Sequence, residues 1–269
     1  MSSAISQEIL DHILDQLCFD RASLAASSLV AHRWLDTPRR HLFSVVRVSA
    51  KNVIAFAALL EEQRCTFRRH ITGLEIDLVR GSQQWFVELS TRLQPLGITA
   101  QCTSMSLRGP QVRKEVQESL VRYYNNLEKF RVGPAKFDSV QDLTDVLGQL
   151  PHLRILDLQA AFTNSFTDLP SQSPASPLRE LSLSSTSIHG VLPSLIDCGA
   201  LEHVTLLSFT QVRAQDLPVI RRYLSIQNTT LEALDIAVYL PYLGVSDGPS
   251  LYLFNPWLRF LTTSIRYIC

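Results

Sequence analysis

Side chains able to do chemistry are present in this sequence but never grouped. The seven histidines, His12, His32, His41, His70, His152, His189 and His203, never pair at i, i+3 or i+4 on one helix, so no metal site is expected. The five cysteines, Cys18, Cys65, Cys102, Cys198 and Cys269, are scattered and form no CxxC pair for zinc or redox work. They read as buried or half-buried thiols in a reducing compartment. Cys269 is the last residue and not in the C-a-a-X position, so no prenyl group is expected. Glycine-rich phosphate loops, HExxH and GxSxG are absent. Two triplets, Arg39-Arg40-His41 and Arg68-Arg69-His70, concentrate positive charge. Both read as solvated helix ends rather than nucleic-acid contacts. The residues therefore predict no catalytic group, no cofactor, no metal and no enzyme activity.

The bulk composition fits a binding protein that folds. Lys+Arg and Asp+Glu each number 25 in 269 residues, so the chain lacks the basic footprint of a general nucleic-acid binder. The longest apolar run, Val53 to Leu60, is stopped by Glu61-Glu62. It is far shorter than the roughly 20 residues that a membrane span requires. No basic stretch followed by an apolar one opens the sequence, so no secretory leader is expected and a cytoplasmic or nuclear location is. Leucine, with 42 residues, is in excess, and that excess needs a structural reason.

Two patterns supply one. At the front, Ile9, Leu10, Ile13, Leu14 and Leu17 form a helical stripe. Ser6 is placed to cap it and Glu8 to favour its positive end. Asp20 is a cap for a second helix through Leu24 and Ala25, and Thr37-Pro38 reads as N-cap and N1 of a third. Helices this short must pack on one another or on a partner.

These residues carry a resemblance. Ile5, Glu8, Ile9, Ile13, Leu17, Ser23, Leu24, Ser28, Leu29, Val30 and Trp34 stand where the F-box pattern, in its fungal form, has its own residues. The sequence departs at Ser6, where proline is usual, and at Ala31 and His32, where cysteine and arginine are common. The resemblance implies a three-helix F-box over residues 1–48. It also implies docking to a Skp1-like adaptor and, through it, to a cullin in a ubiquitin ligase. Candidate adaptor contacts are Ile9, Leu10, Ile13, Leu17, Leu24, Leu29, Val30 and Trp34. Of these, Trp34 and Leu29 favour internal packing, and Ile9, Leu10, Ile13 and Leu24 favour the adaptor side.

The second pattern is a repeat, apolar-x-x-apolar-x-apolar. It occurs at Ile71/Leu74/Ile76, Cys102/Met105/Leu107, Leu127/Phe130/Val132, Leu153/Leu156/Leu158, Leu178/Leu181/Leu183, Leu201/Val204/Leu206 and Leu231/Leu234/Ile236. The starts are 31, 25, 26, 25, 23 and 30 residues apart. An earlier copy, Phe43/Val46/Val48, would splice the helical module into the first repeat. Helix-like stretches lie between at 53–62, 83–96, 112–124, 140–149 and 214–224. One strand and one helix per 23–31 residues resembles a leucine-rich repeat. The expected fold is therefore α/β: the three-helix module, then over 49–269 an irregular leucine-rich-repeat solenoid with a parallel concave sheet. An ordinary α/β domain is the alternative. Irregularity is expected because Ala135, Ala161, Thr186, Phe209 and Tyr239 stand where the repeat usually has Asn or Cys.

The residues between the apolar ones should face solvent. Target-binding candidates among them are Glu75, Asp77, Arg108, Lys129, Arg131, Asp157, Glu180 and His203, with Thr205 and Leu207 beside the last. This mixed surface suits recognition of a protein better than of a polyanion. Residues 169–177 read as a proline-serine loop in place of a helix, with Ser173 and Ser176 before prolines. The apolar stretch 251–261 reads as a degraded final repeat. The functional expectation is a substrate-recognition subunit that binds an adaptor and a protein target, with no nucleic-acid or membrane partner. The alternative is a scaffold or inhibitor without a ligase link, whose first helices only cap the repeats.

Overall fold

The computed structural model describes residues 6–31, 34–79, 82–162, 178–197, 199–226 and 230–238. The sites His32, Ser173, Ser176, Tyr239, Cys198, Cys269 and the stretch 251–261 lie outside these residues, as does Ile5.

The first two helices begin at the residues chosen for them. Helix α1 (Gln7–Gln16) starts where the Ser6 hydroxyl accepts the Ile9 N–H. Helix α2 (Arg21–Ser27) starts where Asp20 accepts the N–H groups of Ala22 and Ser23, both at 3.1 Å. Each cap satisfies donors that a first helical turn leaves without partners. Helix α3 (Asp36–Phe43) starts earlier than Thr37-Pro38 proposed. Leu35 holds the cap position, and Thr37 instead donates its hydroxyl to Asp11 on α1 at 2.6 Å. Arg40 donates to Asp15 of α1 at 2.7 Å, and His41 lies 2.6 Å from the same oxygen. Buried Leu10, Leu14 and Leu24 fill the space between the three helices.

A parallel sheet follows at once. Its strands are β1 (Val45–Ser49), β2 (Gly73–Asp77), β3 (Ser104–Arg108), β4 (Lys129–Phe137), β5 (Ile155–Phe162), β6 (Glu180–Ser184), β7 (Leu206–Val212) and β8 (Ala233–Val238). The eight lie side by side in sequence order, all parallel. Between strands run α4 (Val53–Glu61), α5 (Gln84–Leu93), α6 (Ile98–Gln101), α7 (Lys114–Tyr123), α8 (Val140–Gly148), α9 (Ser185–Asp197) and α10 (Leu217–Ile226). Short 3-10 turns at Arg68–His70 and Ala214–Asp216 complete the connections. The fold is α/β, and the sequential order gives each strand-helix unit only its neighbours to pack on.

The leucines form rows across this sheet. Ile71, Cys102, Leu127, Leu153, Leu178 and Val204 make one fully buried row just before the strands. Leu74, Met105, Phe130, Leu156, Leu181, Leu207 and Leu234 make a second, and Ile76, Leu107, Val132, Leu158, Leu183 and Phe209 a third. Within a strand the side chains two apart share a face, so two rows point the same way, into the helices. Val46 and Val48 pair with Leu74 and Ile76, which places the Phe43/Val46/Val48 copy in register.

A backbone ladder marks the same register. The carbonyls of Ser44, Thr72, Thr103, Glu128, Arg154, Arg179 and Thr205 each accept two N–H groups from the chain entering the next strand. Thus Arg179 receives Thr205 and Leu206, and Thr205 receives Glu232 and Ala233. Toward the C-terminal ends of β4 and β7 the sheet is less regular. The pairing shifts between Val132 and Ala135 and between Phe209 and Val212, and Gln211 takes φ of 57°.

Two expectations need correcting. The copy read as Leu201/Val204/Leu206 is instead Val204/Leu207/Phe209, since Leu207 pairs with Leu181 and Phe209 with Leu183. The stretch Leu-Glu-His-Val-Thr-Leu-Leu-Ser-Phe admits both readings, and the sheet register, which the backbone ladder fixes, selects the second. Starts at 178, 204 and 231 are then 26 and 27 apart, closer to the other intervals. Second, a helix escaped notice. Helix α9 contains Gly190 and Pro193, residues that weaken a helical pattern, yet it packs closely on β5. Its start is tied down by Ser187, whose Oγ accepts the Ala160 N–H at 2.8 Å and lies near the Leu158 and Ala160 carbonyls.

Candidate docking surfaces

The front module leaves apolar side chains in water. Ile9 and Ile13 lie four apart on α1, on one face, and are 57% and 48% exposed. Phe19, in the turn after α1, is 97% exposed, and Leu29 and Val30 after α2 are also open to solvent. Leu17 and Trp34 are half-buried, and the Trp34 indole nitrogen is buried without a hydrogen-bond partner among the described residues. Three assignments change. Leu10 and Leu24 are core and present nothing to a partner, whereas Leu29, assigned to internal packing, is 87% exposed. Helix phase explains the first two: α3 lies across α1 and α2 and takes one side of each. Phe19 was missed because it stands in a turn, outside any periodic stripe.

The caps and pairs of this module also set its carboxylates. The hydrogen bond from His41, and Arg40 beside it, hold Asp15 below its ordinary value, and the Ser23 hydroxyl and N–H do the same for Asp20. Both stay charged down to low pH, which keeps the α2 cap and the α1–α3 link in place.

The second surface is the face of the sheet opposite the helices. Its middle row reads Arg47, Glu75, Ser106, Arg131, Asp157, Ser182, Ser208 and Asp235 by strand register. Arg131 donates to Asp157 at 2.7 Å, and Arg47 to Asp77 in the next row at 2.8 Å. The Arg47 bond holds Asp77 below the usual carboxylate range. Arg108 is exposed beside Asp77, Lys129 and Glu180 are half-buried in the row nearest the strand starts, and Glu75 has no ion-pair partner among the described residues. The face therefore has two halves. Strands β1–β5 carry charges of both signs, and β6–β7, apart from Glu180 at the start of β6, carry the hydroxyls Ser182, Ser184, Ser208 and Thr210.

His203 does not belong to this face. It is exposed in the turn before β7, because the corrected register moves the strand three residues on. Leu207 is fully buried and Thr205 serves the backbone ladder, while Leu206, 40% exposed, takes the outward position between Glu180 and Ala233. An apolar side chain on the open face is what a one-residue change of parity produces.

Among the described residues no three His, Cys, Asp or Glu side chains are grouped to hold a metal, and no helix is long and apolar enough to cross a membrane. A scan of the sequence against known protein-family models finds no match, and no curated protein is similar to it in sequence.

Proposed function

We propose that this chain is a substrate receptor of a ubiquitin ligase. Its three front helices dock a Skp1-like adaptor, as an F-box does, and its strand-helix units form a leucine-rich-repeat solenoid whose open face holds a protein target. The observation that carries this reading is the pairing of an apolar surface at Ile9, Ile13, Phe19, Leu29 and Val30 with a parallel sheet that begins at Val45, directly after the end cap of α3. Solvent-exposed apolar side chains on a small helical unit are what helix-in-groove association uses. The charges of both signs on β1–β5 suit a protein partner, since rim charges steer association and fix its orientation.

Co-purification with a Skp1-like adaptor tests the docking half. The wild type is expected to retain the adaptor, and Ile13→Asp or Phe19→Asp to lose it without loss of fold. Failure of the wild type to bind, or full binding by both variants, sinks the proposal. A scaffold whose first helices only cap the sheet is the competing reading, favoured by the stacking of Phe43 at the end of α3 on Phe67 at 4.5 Å. It expects both Asp variants to behave as wild type.

A further inference from the structure

The two basic triplets that the sequence leaves without a role meet at one place. Arg39 of α3 and Arg68 and Arg69 of the first 3-10 turn, 29 positions on, line a single cavity of about 690 Å³ together with Leu35, Cys65 and Leu96. Leu35, Asp36 and Arg39 of the wall come from the helical front, and the larger share comes from the connections between β1 and β2 and between β2 and β3.

Positive charge in this cavity is left uncompensated. Among the described residues Asp36 is the one carboxylate on its wall, and it is already bonded by Arg69 and lies 3.4 Å from His70. Arg39 donates to the Thr66 hydroxyl at 3.0 Å and Arg68 to the Glu62 carbonyl at 3.2 Å, both neutral acceptors. Three guanidiniums against one carboxylate leave an excess of two positive charges; Arg39 and Arg68 are half-buried with N–H donors to spare, and Arg69 is exposed. The same field reaches His70. Burial holds its imidazole below the usual value, Asp36 opposes this, and Arg69, Arg39 and Arg40 add to it.

We propose that this cavity binds a small phosphorylated compound, with phosphoryl oxygens on the Arg39 and Arg68 guanidiniums and a less polar part against Leu35 and Leu96. Guanidinium forks match phosphate oxygens in pairs, and a cavity of this size holds a small organic molecule. A ligand there braces α3 against the sheet, so it stabilises the whole chain by mass action. The proposal stands independently of adaptor docking.

Calorimetric titration and thermal melting of the full chain, at constant ionic strength set with sodium chloride, test it with pyrophosphate and orthophosphate as probes. Pyrophosphate is expected to raise the melting temperature and to bind about tenfold more tightly than orthophosphate. The pair Arg39→Gln and Arg68→Gln should lose at least about tenfold in affinity while keeping the ligand-free melting temperature. Arg221→Gln, exposed on α10 and away from the cavity, should leave pyrophosphate binding unchanged. Should the double Gln chain fail to fold, Arg39→Lys and Arg68→Lys keep the charge, lose the fork, and are expected to bind more weakly than wild type. No binding of pyrophosphate up to about 10 mM, or equal binding by the arginine variants, overturns the assignment. A phosphoserine peptide that binds more tightly than pyrophosphate through the same arginines overturns the small compound as the ligand.

Discussion

Individual side chains in this protein differ most in what their surroundings leave unmet. Tyr124 is fully buried with its hydroxyl 3.1 Å from Ser90, which itself donates to the Phe86 carbonyl at 2.8 Å. The tyrosine must therefore donate, and Tyr124→Phe is expected to cost about 1 kcal/mol in urea denaturation. Tyr223 is as buried, but its hydroxyl has no partner among the described residues, so Tyr223→Phe should be neutral or stabilising. Asp216 is fully buried; its Oδ2 accepts from the Ser185 hydroxyl and the Arg213 N–H, and His189 Nε2 sits 2.8 Å from its Oδ1, outside hydrogen-bond geometry. This cluster ties the α9 start to the turn before α10, two helices whose ends were not expected to meet. Cys102 contrasts with the half-buried Cys18 and Cys65: burial pushes its thiol up to about 12. Iodoacetamide followed by peptide mass mapping should label Cys18 and Cys65 in the native chain and Cys102 only after unfolding.

At the level of elements, the energetic features sit where helix meets strand. A Cβ built on Gly190 of α9 would stand 2.7 Å from Cδ2 of Phe162, the residue that ends β5 and stacks on Phe137. Gly190→Ala is expected to destabilise the chain by about 1–3 kcal/mol through overpacking, and Phe162→Leu in the same chain to recover part of it. Thermal melting of the three proteins checks this; a neutral Gly190→Ala would show that α9 packs otherwise. Helix α8 begins with a reciprocal pair in which Ser139 accepts the Asp142 N–H and Asp142 accepts the Ser139 N–H. Ser139→Ala should cost about 1 kcal/mol. The repeat was legible as apolar spacing because the helices cover one face of every strand. The α9 helix was not, because its glycine serves close packing that no local pattern announces.

From β1 to β8 one continuous apolar core lies under an eight-stranded parallel sheet, while Leu10, Leu14 and Leu24 of the front helices are buried outside that cluster; among the described residues the ionisable side chains lie at its surface, apart from the buried Asp216, Cys102, Tyr124 and Tyr223. Asp15, Asp20, Glu61 and Asp77 are all held below their ordinary values, chiefly by hydrogen bonds from His41, Ser23, Arg92 and Arg47 respectively. A carboxylate with a depressed folded value binds fewer protons than in the unfolded chain. Its contribution is complete above the unfolded value, near pH 4, and is lost as pH falls through the folded value. The urea midpoint is therefore expected to fall gently from about pH 7 to 5, where the unfolded chain protonates the imidazole that burial at His70 keeps neutral, and more steeply below about pH 4 as the carboxylates protonate. A midpoint that rises on acidification would contradict these pairs. If the front module docks an adaptor as proposed, its capture is expected to follow the same curve, since Asp15 links α1, which carries Ile9 and Ile13, to α3, and Asp20 caps α2 just after the turn that holds Phe19.

The linear sequence by itself determined the strand-helix alternation, the three buried rows, the caps at Ser6 and Asp20 and the mixed charges of the open face. Each is a local matter of periodicity or hydrogen-bonding capacity, readable without knowing what lies opposite. Tertiary structure alone decided which of two overlapping apolar triplets, at 201 or at 204, enters the sheet, because parallel pairing with β6 sets that register. It also decided that Leu10 and Leu24 face inward and Phe19 and Leu29 outward, since the position of α3 selects the covered side. And it brought Arg39 and Arg68 to one cavity, a proximity between distant positions that chain folding creates and spacing does not encode.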